Sequence, residues 1–210
     1  MYEIVNGIDD VRRLKGFLTV GETLQLADLG VTVIDPFSTL VSRQASLASG
    51  VFVWPNVTIE VGSAGSVRIG ASTALHSGVR IVAGDGSIVI GANVDIGQEG
   101  GFTFVTRASG DMIHVANDAR LNGGGSIAGG ANLGSGAQVL GPIRIQNCQL
   151  GGGGSFREPD PDKRGAVLKG SGVARNIDVP TGMVIQAFGV FSEAPMRWQS
   201  YFHPQKDGQA

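Results

Sequence analysis

The chain has 210 residues, and its 16 Lys and Arg against 18 Asp and Glu give a net charge of −2. Because neither sign dominates a long stretch, we expect neither a nucleic-acid partner nor an anionic membrane surface. One cysteine cannot form an internal disulfide or a multi-thiolate metal site, and no apolar run approaches the ~18 residues of a membrane span, which predicts a soluble cytoplasmic protein.

The first segment, residues 1–29, is predicted to be a helical linker. Apolar residues recur at helical spacing behind a pair of aspartates, which predicts one or two short helices. The residues expected on one face of this segment are Val11, Leu14, Phe17 and Leu18.

The second segment, residues 30–190, carries a six-residue repeat of apolar positions. Three places after many of them stands Gly, Asn or Asp, the residue types that tolerate positive φ and therefore suit corners. A hexapeptide repeat of this kind predicts an all-β, single-stranded parallel β-helix with about seven coils of three hexads each. The predicted inward positions include Leu47, Val53, Ile59, Ile69, Leu75, Ile81, Ile127, Leu133, Val139, Leu150, Phe156, Val167, Val173 and Val179.

The repeat is interrupted by three insertions, which follow Ile59, Ile81 and Phe102. Each comes after the third side of its coil, so we expect the three loops to stack at one corner of the solenoid. Loops stacked on a rigid solenoid can form a binding surface or be tolerated insertions, and both interpretations stay open. Cys148 is predicted at another corner, where it has a structural role.

The third segment, residues 191–210, breaks the repeat. It carries Trp198, Tyr201 and Phe202 beside prolines in a chain with only 6% aromatic residues. We expect this tail to pack against the solenoid or against a neighbouring subunit.

Three stretches, "EIVNGIDDVRRL", "LGVTVIDPFSTLV" and "LASGVFVWPNVTIEVG", resemble a known family. The family is that of the bifunctional N-acetylglucosamine-1-phosphate uridyltransferase/glucosamine-1-phosphate acetyltransferases, at the linker and first coils of the acetyltransferase domain. The resemblance is specific over residues 3–14 and 29–62. It implies a left-handed β-helix and a homotrimer with acetyl-CoA sites between subunits. The uridyltransferase domain has no counterpart, so no uridylyl transfer is expected.

The resemblance fails at the family's acceptor site. The stretch "LGGGGSFRE" puts Arg157 or Glu158 where the family has a histidine, and Ala128 falls where a basic residue is expected. Two functions therefore stay open. One is acyl transfer from acetyl-CoA or another acyl-CoA, with no permanently bound cofactor, to a small amine or hydroxyl acceptor such as an amino sugar. The other is a trimeric scaffold without catalysis that binds a ligand or partner.

Three histidines are candidates for a catalytic base, because imidazole titrates near neutral pH. His114 follows the longest corner insertion and is the predicted catalytic residue. His76 comes one place after the inward Leu75 and is predicted on a solvated flat side, and His203 lies in the tail, where an idle role is expected.

A cluster of charged residues near the acceptor-site stretch could hold phosphate groups, since guanidinium and ammonium groups bind them strongly. A solvated loop with compensating charges is the alternative. The predicted substrate-binding residues are Arg157, Glu158, Lys163 and Arg164, the predicted cofactor-binding residues are Lys169 and Arg175, and no metal ligand is predicted.

Overall fold

The computed structural model describes residues 2–203, with side chains described for residues 6–203; Met1 and the predicted tail's residues 204–210 lie outside the described residues. Short parallel strands follow one another around a prism and pair with strands one coil away. The corners carry residues with φ near +60°, among them Asn56, Ser72, Asn93 and Asp118. The prediction of an all-β, left-handed parallel β-helix preceded by short helices is confirmed.

The strands form three faces, which we name A, B and C. Face A contains β1 (Thr32–Val33), β4 (Phe52–Val53), β7 (Ala74–Leu75), β10 (Asp95–Ile96), β13 (Arg120–Asn122), β16 (Gln138–Leu140), the first half of β19 (Val167–Arg175) and β21 (Met183–Val190), to which β22 (Met196–Trp198) adds antiparallel. Face B contains β2 (Leu40–Val41), β5 (Thr58–Val61), β8 (Arg80–Ala83), β11 (Thr103–Thr106), β14 (Ser126–Ala128), β17 (Ile143–Gln146) and the second half of β19. Face C contains β3 (Ser46–Leu47), β6 (Ser66–Ile69), β9 (Ser87–Ile90), β12 (Met112–Val115), β15 (Ala131–Leu133), β18 (Cys148–Leu150) and β20 (Asp178–Val179), which makes seven coils.

The N-terminal segment forms α1 (Tyr2–Leu14), α2 (Val20–Leu24) and a 3-10 turn (Gln25–Leu29). The predicted apolar face is wrong at Val11 and Leu14, which are 59% and 82% exposed, whereas Leu18, beyond the helix, packs against the core. Among residues 6–14 of α1 the buried side chain is that of Arg12, whose guanidinium donates to the carbonyl oxygens of Pro36 and Phe37 at 2.9 and 2.8 Å. The helix is thus attached to the first coil by hydrogen bonds to backbone carbonyls that lack strand partners, and not by an apolar stripe.

The core is one stack of aliphatic side chains along the prism axis. Three predicted inward positions are wrong: Phe156 is 38% exposed, Val173 is half-buried, and Val167 lines an outer cavity on face A while its neighbour Leu168 lies in the core. Phe156 lies in a loop, residues 151–166, that leaves the solenoid between β18 and β19. Strand β19 bends at Gly170, whose φ is +120°, and after this bend Ala174 faces the interior in place of Val173.

The three insertions stack at the corner between faces B and C, as predicted. The amide of Gly62 donates to the carbonyl of Ala83 at 2.7 Å, and Gly84 donates to Thr106 at 2.9 Å. The third loop, residues 107–111, is closed by Asp111. Because each loop hydrogen-bonds to the next, this corner is a continuous wall beside face C.

The described part of the tail packs on the solenoid, one of the two predicted arrangements. Its strand β22 pairs with β21, and Gln199 is buried. Trp198 and Tyr201 face outward and are 54% and 62% exposed, whereas Phe191, at the start of the tail, is fully buried in the core. The tail is therefore held by the ring of Phe191 and by hydrogen bonds of the backbone and of Gln199.

Candidate functional site

The predicted catalytic residue, His114, lies on β12 of face C. Its neighbours Ile113 and Val115 are fully buried, so the alternation of the strand turns the imidazole outward. In the parallel register His114 lies opposite Asn132 on the next coil, and Asn132 lies opposite Gln149. Since neighbouring strands are about 4.8 Å apart, these three side chains form one polar column.

The imidazole of His114 is oriented by its neighbour. Its Nδ1 lies 2.8 Å from Oδ1 of Asn132. In this orientation of the Asn132 amide its oxygen accepts from Nδ1–H, and the tautomer of the neutral ring that carries this proton has its lone pair on Nε2. This arrangement is that of a positioned proton acceptor.

An open cavity of about 530 Å³ lies beside His114. Its lining is uncharged and rich in amides, which can hydrogen-bond hydroxyl and amine groups of a ligand. The residues that line it with His114 are Gly110, Met112, Gly130, Ala131, Asn132, Asn147 and Gln149. The stacked corner loops border this cavity through Gly110, so the insertions and the candidate base lie together.

A second histidine, His76, points outward from face A. It was expected to be solvated, but its side chain is only 24% exposed and its ring stacks on Trp54 with 5.7 Å between centroids. Its Nε2 lies 2.8 Å from Oδ1 of Asp95, although the atoms are not aligned as a hydrogen bond and that buried oxygen has no hydrogen-bond partner among the described residues. We treat the pair as an ionic contact made when the ring is protonated.

Sequence reasoning missed the pair of His76 and Asp95, although the repeat contains the signal for it. His76 follows the inward Leu75, and Asp95 precedes the inward Ile96, which is the register partner of Leu75 on the next coil. When two inward residues pair on adjacent coils, the outward residues next to them lie on the same face and one coil apart.

A cavity of about 270 Å³ on face A is lined by several cationic side chains. Two predicted ligand-binding residues, Arg164 and Lys169, line this cavity. Arg120 lines it as well, although the sequence predicted no role for this residue. His203, which was predicted to be idle, lines the same cavity. We describe this cavity further below.

The structure separates the other predicted ligand-binding residues from that cavity. Lys163 pairs with Asp160 at 3.1 Å, and Arg157 lies against the ring of Phe156 with 4.9 Å to the centroid. The backbone oxygen of Glu158 accepts from Nε of Arg164 at 2.7 Å, so Glu158 supports the loop.

Arg175 does not share a site with Lys169, although both lie on β19. Lys169 is opposite Leu140 on face A, whereas Arg175 is opposite Gln146 on face B, because the strand turns the corner between them. The two residues predicted to bind one cofactor therefore lie on different faces of the same chain.

Cys148 is buried in β18 and does not form a corner; the corner residue is Asn147, with φ of +51°. The one-residue slip in the repeat accounts for the difference. Burial raises the pKa of the Cys148 thiol, and its Sγ lies 3.3 Å from the carbonyl oxygens of Gln146 and Ala174. A protonated, enclosed thiol is a poor nucleophile, in agreement with a structural role.

Residues 2–203 contain neither a membrane-spanning helix nor a metal-binding cluster. No described helix has the length and hydropathy needed to cross a bilayer. Within the same range, no three His, Cys, Asp or Glu side chains are grouped so that they could hold a metal ion.

No family model and no curated protein matches this chain. Among solved structures, it is similar to a Bacillus cereus protein assigned to the acetyltransferases, with 15% identity, 77% of each chain covered and a TM-score of 0.41. It is also similar to LpxA of Acinetobacter baumannii, with 16% identity, 86% and 78% coverage and a TM-score of 0.38. PerB of Caulobacter crescentus, solved with CoA and GDP-perosamine, matches at 14% identity, 91% and 67% coverage and a TM-score of 0.25.

Proposed function

We propose that the protein transfers an acyl group from a coenzyme A thioester to an amine or hydroxyl of a small acceptor such as an amino sugar. The observation that carries the proposal is the 2.8 Å contact between His114 Nδ1 and Asn132 Oδ1, which leaves Nε2 as a proton acceptor at an open cavity. A thioester is already activated, so positioning and one base are sufficient for its aminolysis or alcoholysis.

The proposed step uses His114 twice. Nε2 takes the proton of the acceptor N–H or O–H as that atom attacks the thioester carbonyl and forms the new C–N or C–O bond. When the tetrahedral intermediate collapses, the C–S bond breaks and the protonated imidazole returns the proton to the leaving sulfur. Asn132 keeps Nδ1 protonated throughout, and the amides of Asn147 and Gln149 are placed to hydrogen-bond the acceptor.

A homotrimer is part of this proposal. His114 is on face C, whereas the cationic cavity is on face A of the same chain. A neighbouring copy that packs against face C would enclose the open cavity around His114, while the cationic cavity on face A would remain a separate site.

The test is release of free thiol from acetyl-CoA in the presence of a panel of amino sugars and their phosphates, with wild type and two variants. We expect His114→Ala to lower kcat by about 10²–10⁴-fold, the usual contribution of a general base. The matched control is His76→Ala, which removes a half-buried histidine from another face and should keep the rate. Turnover that survives in His114→Ala would contradict the mechanism and favour the binding scaffold.

A further inference from the structure

The cationic cavity on face A lies between two segments outside the repeat. Its floor is formed by β13, β16, β19 and β21 of the solenoid. One wall is the loop at residues 151–166, which contributes Phe156 and Arg164, and the opposite wall is the tail, which contributes Gln199 and Phe202. The cavity has a volume of about 270 Å³, close to the lower end of the range for small-molecule sites.

The charge in this cavity is all of one sign. Arg120, Arg164 and Lys169 line it, and no carboxylate does. Within the part of the chain that the structure describes, none of the three makes an ion pair. In a chain of net charge −2, three cations without carboxylate partners in one cavity are unusual and indicate an anionic ligand.

The nearby carboxylates are directed elsewhere. Asp160 pairs with Lys163, and Oδ1 of Asp162 accepts from the amide of Ser200 at 2.8 Å. Asp95 and Asp118 lie in an adjoining depression that Arg120 also lines, and Asp95 contacts His76. These acids therefore leave the cationic cavity without a counter-charge of its own.

The walls are held in place before any ligand binds. Nε2 of the buried Gln199 donates to the carbonyl of Gly165 at 2.8 Å, and the amide of Gln199 donates to Gly182 at 2.9 Å. Together with the bond between Ser200 and Asp162, these contacts join the tail to the loop. A preformed cavity needs little ordering on binding, which favours affinity.

Much of the floor is apolar, and Leu140, Val167 and Val184 contribute to it. On the loop wall the ring of Phe156 lies 4.6 Å from the guanidinium carbon of Arg120, which fixes that cation at the edge of the apolar floor. An inorganic anion has no apolar part that could contact this floor. The combination of cations and apolar surface fits a phosphate group attached to an organic moiety.

We propose that face A binds a phosphorylated small organic molecule, with its phosphate or diphosphate held by Arg120, Arg164 and Lys169 and its organic part on the apolar floor. Arg164 is suited to this role because its Nε is bonded to the Glu158 carbonyl, which orients the remaining guanidinium nitrogens. This site goes beyond the acyl-transfer proposal and does not rest on it, since no step at His114 enters the argument.

Calorimetric titration at low salt tests the site with two probes, inorganic pyrophosphate and ADP. Both should bind at one site per chain, with ADP at least about tenfold tighter because its nucleoside covers the floor, and added NaCl should weaken both. Absence of heat with both probes at millimolar concentration would overturn the proposal. Equal affinity for the two would overturn the role of the floor.

A pair of variants on β19 controls for charge. Lys169→Gln should weaken ADP binding at least about tenfold, because it removes a charge-assisted contact. Arg175→Gln removes the same charge from an exposed position on the same strand, outside the cavity, and should leave the affinity unchanged. Equal losses in the two variants would mean that general electrostatics, and not this cavity, attracts the probe.

Two further variants keep the result interpretable. Lys169→Arg should retain most of the affinity, which shows that loss in Lys169→Gln is not misfolding. His114→Ala should bind ADP as wild type does, so failure of the acyl-transfer proposal and failure of this one give different results. An affinity loss in His114→Ala would contradict the independence of the two faces.

Discussion

Face C and face A carry two different kinds of site. On face C the cavity around His114 is made by side chains of the repeat itself and by the corner loops, and it is uncharged. On face A the cavity exists only because a loop and a tail outside the repeat rise above the strands, and it is cationic. Side chains stacked on one face of a solenoid can thus form a shallow polar cavity. A deeper, charged cavity requires segments that leave the repeat.

The two histidines show the same contrast. Both point outward and both contact a side chain one coil away, His114 an amide and His76 a carboxylate. The amide oxygen contacts Nδ1 and leaves Nε2 free, whereas the carboxylate contacts Nε2 and occupies it. The neighbour on the next rung, and not the position in the hexapeptide, decides what each histidine can do.

The largest expected effect is a difference in the free energy of unfolding between a substitution in the repeat and one in the loop outside it. Leu133→Ala, on β15 of face C, should lower the free energy of unfolding by about 2–5 kcal/mol, because Leu133 is fully buried and truncation leaves a cavity. Phe156→Ala on the face A loop should cost only about 1 kcal/mol, since its ring is exposed and contacts two guanidinium groups. Urea denaturation measures both. Equal costs would mean that Phe156 faces inward, as the repeat had predicted.

The next effect concerns orientation of the candidate base. Asn132→Leu should lower kcat by about 10–100-fold, because Nδ1 loses its acceptor and the imidazole can rotate or exchange tautomers. Asn132→Asp keeps an acceptor oxygen in place and should restore most of the rate. Nitrogen NMR of the imidazole gives a readout without substrate: Nδ1 should be protonated in wild type and in Asn132→Asp only. If both variants lose the same activity, Asn132 does not act through the tautomer.

The sequence was sufficient to predict the solenoid because every coil repeats the same constraint. An aliphatic residue every sixth position and a residue tolerant of positive φ at each corner determine the strand, its face and its neighbours. The same six-residue spacing predicts the stacked corner loops and is sufficient to predict the contact of His76 with Asp95. These features depend on position within the repeat alone.

What the sequence could not predict lies where the repeat ends. Phe156 was assigned inward because the six-residue count was continued through a loop that leaves the solenoid. The cavity of Arg120, Arg164 and Lys169 joins residues from a strand, a loop and the strand that follows it, which no periodicity connects. Likewise, Arg12 replaces Val11 and Leu14 as the buried residue of α1 because only it can satisfy the free carbonyls of the first coil.

A smaller effect is expected at the junction of loop and tail. Gln199→Ala leaves the carbonyl of Gly165 without its side-chain donor and should destabilise the junction by about 1–2 kcal/mol. Amide exchange by mass spectrometry should be faster in residues 196–203, ADP binding on face A should weaken, and activity at His114 should be unchanged. Gln186→Ala is the matched control, because Gln186 lines the same cavity but is exposed. Equal exchange in the two variants would mean that Gln199 does not anchor the tail.

The smallest effect is a loss of loop stability at low pH, when one carboxylate beside each site becomes protonated. These carboxylates are Asp111 beside face C and Asp160 beside face A. Asp111 closes the corner loop next to face C by accepting from the amides of Ala108 and Arg107, both at 3.0 Å, and these bonds hold the pKa of Asp111 below its ordinary value. The pKa of Asp160, in the loop beside face A, is lowered first by the contact with Lys163 and then by the amide of Asp162.

Because both pKa values are lowered in the folded protein, each carboxylate stabilises its loop fully above the ordinary value of about 3.9, and that contribution is lost as the pH falls through the lower folded value. Carboxyl-carbon NMR should therefore give both midpoints below the ordinary aspartate value of about 3.9. In 1 M salt, where charge pairs are screened but backbone hydrogen bonds persist, Asp160 should move towards the ordinary value more than Asp111. An equal shift would show that both loops are held by charge, and that the contrast between an amide-built face C and a charged face A does not extend to their loops.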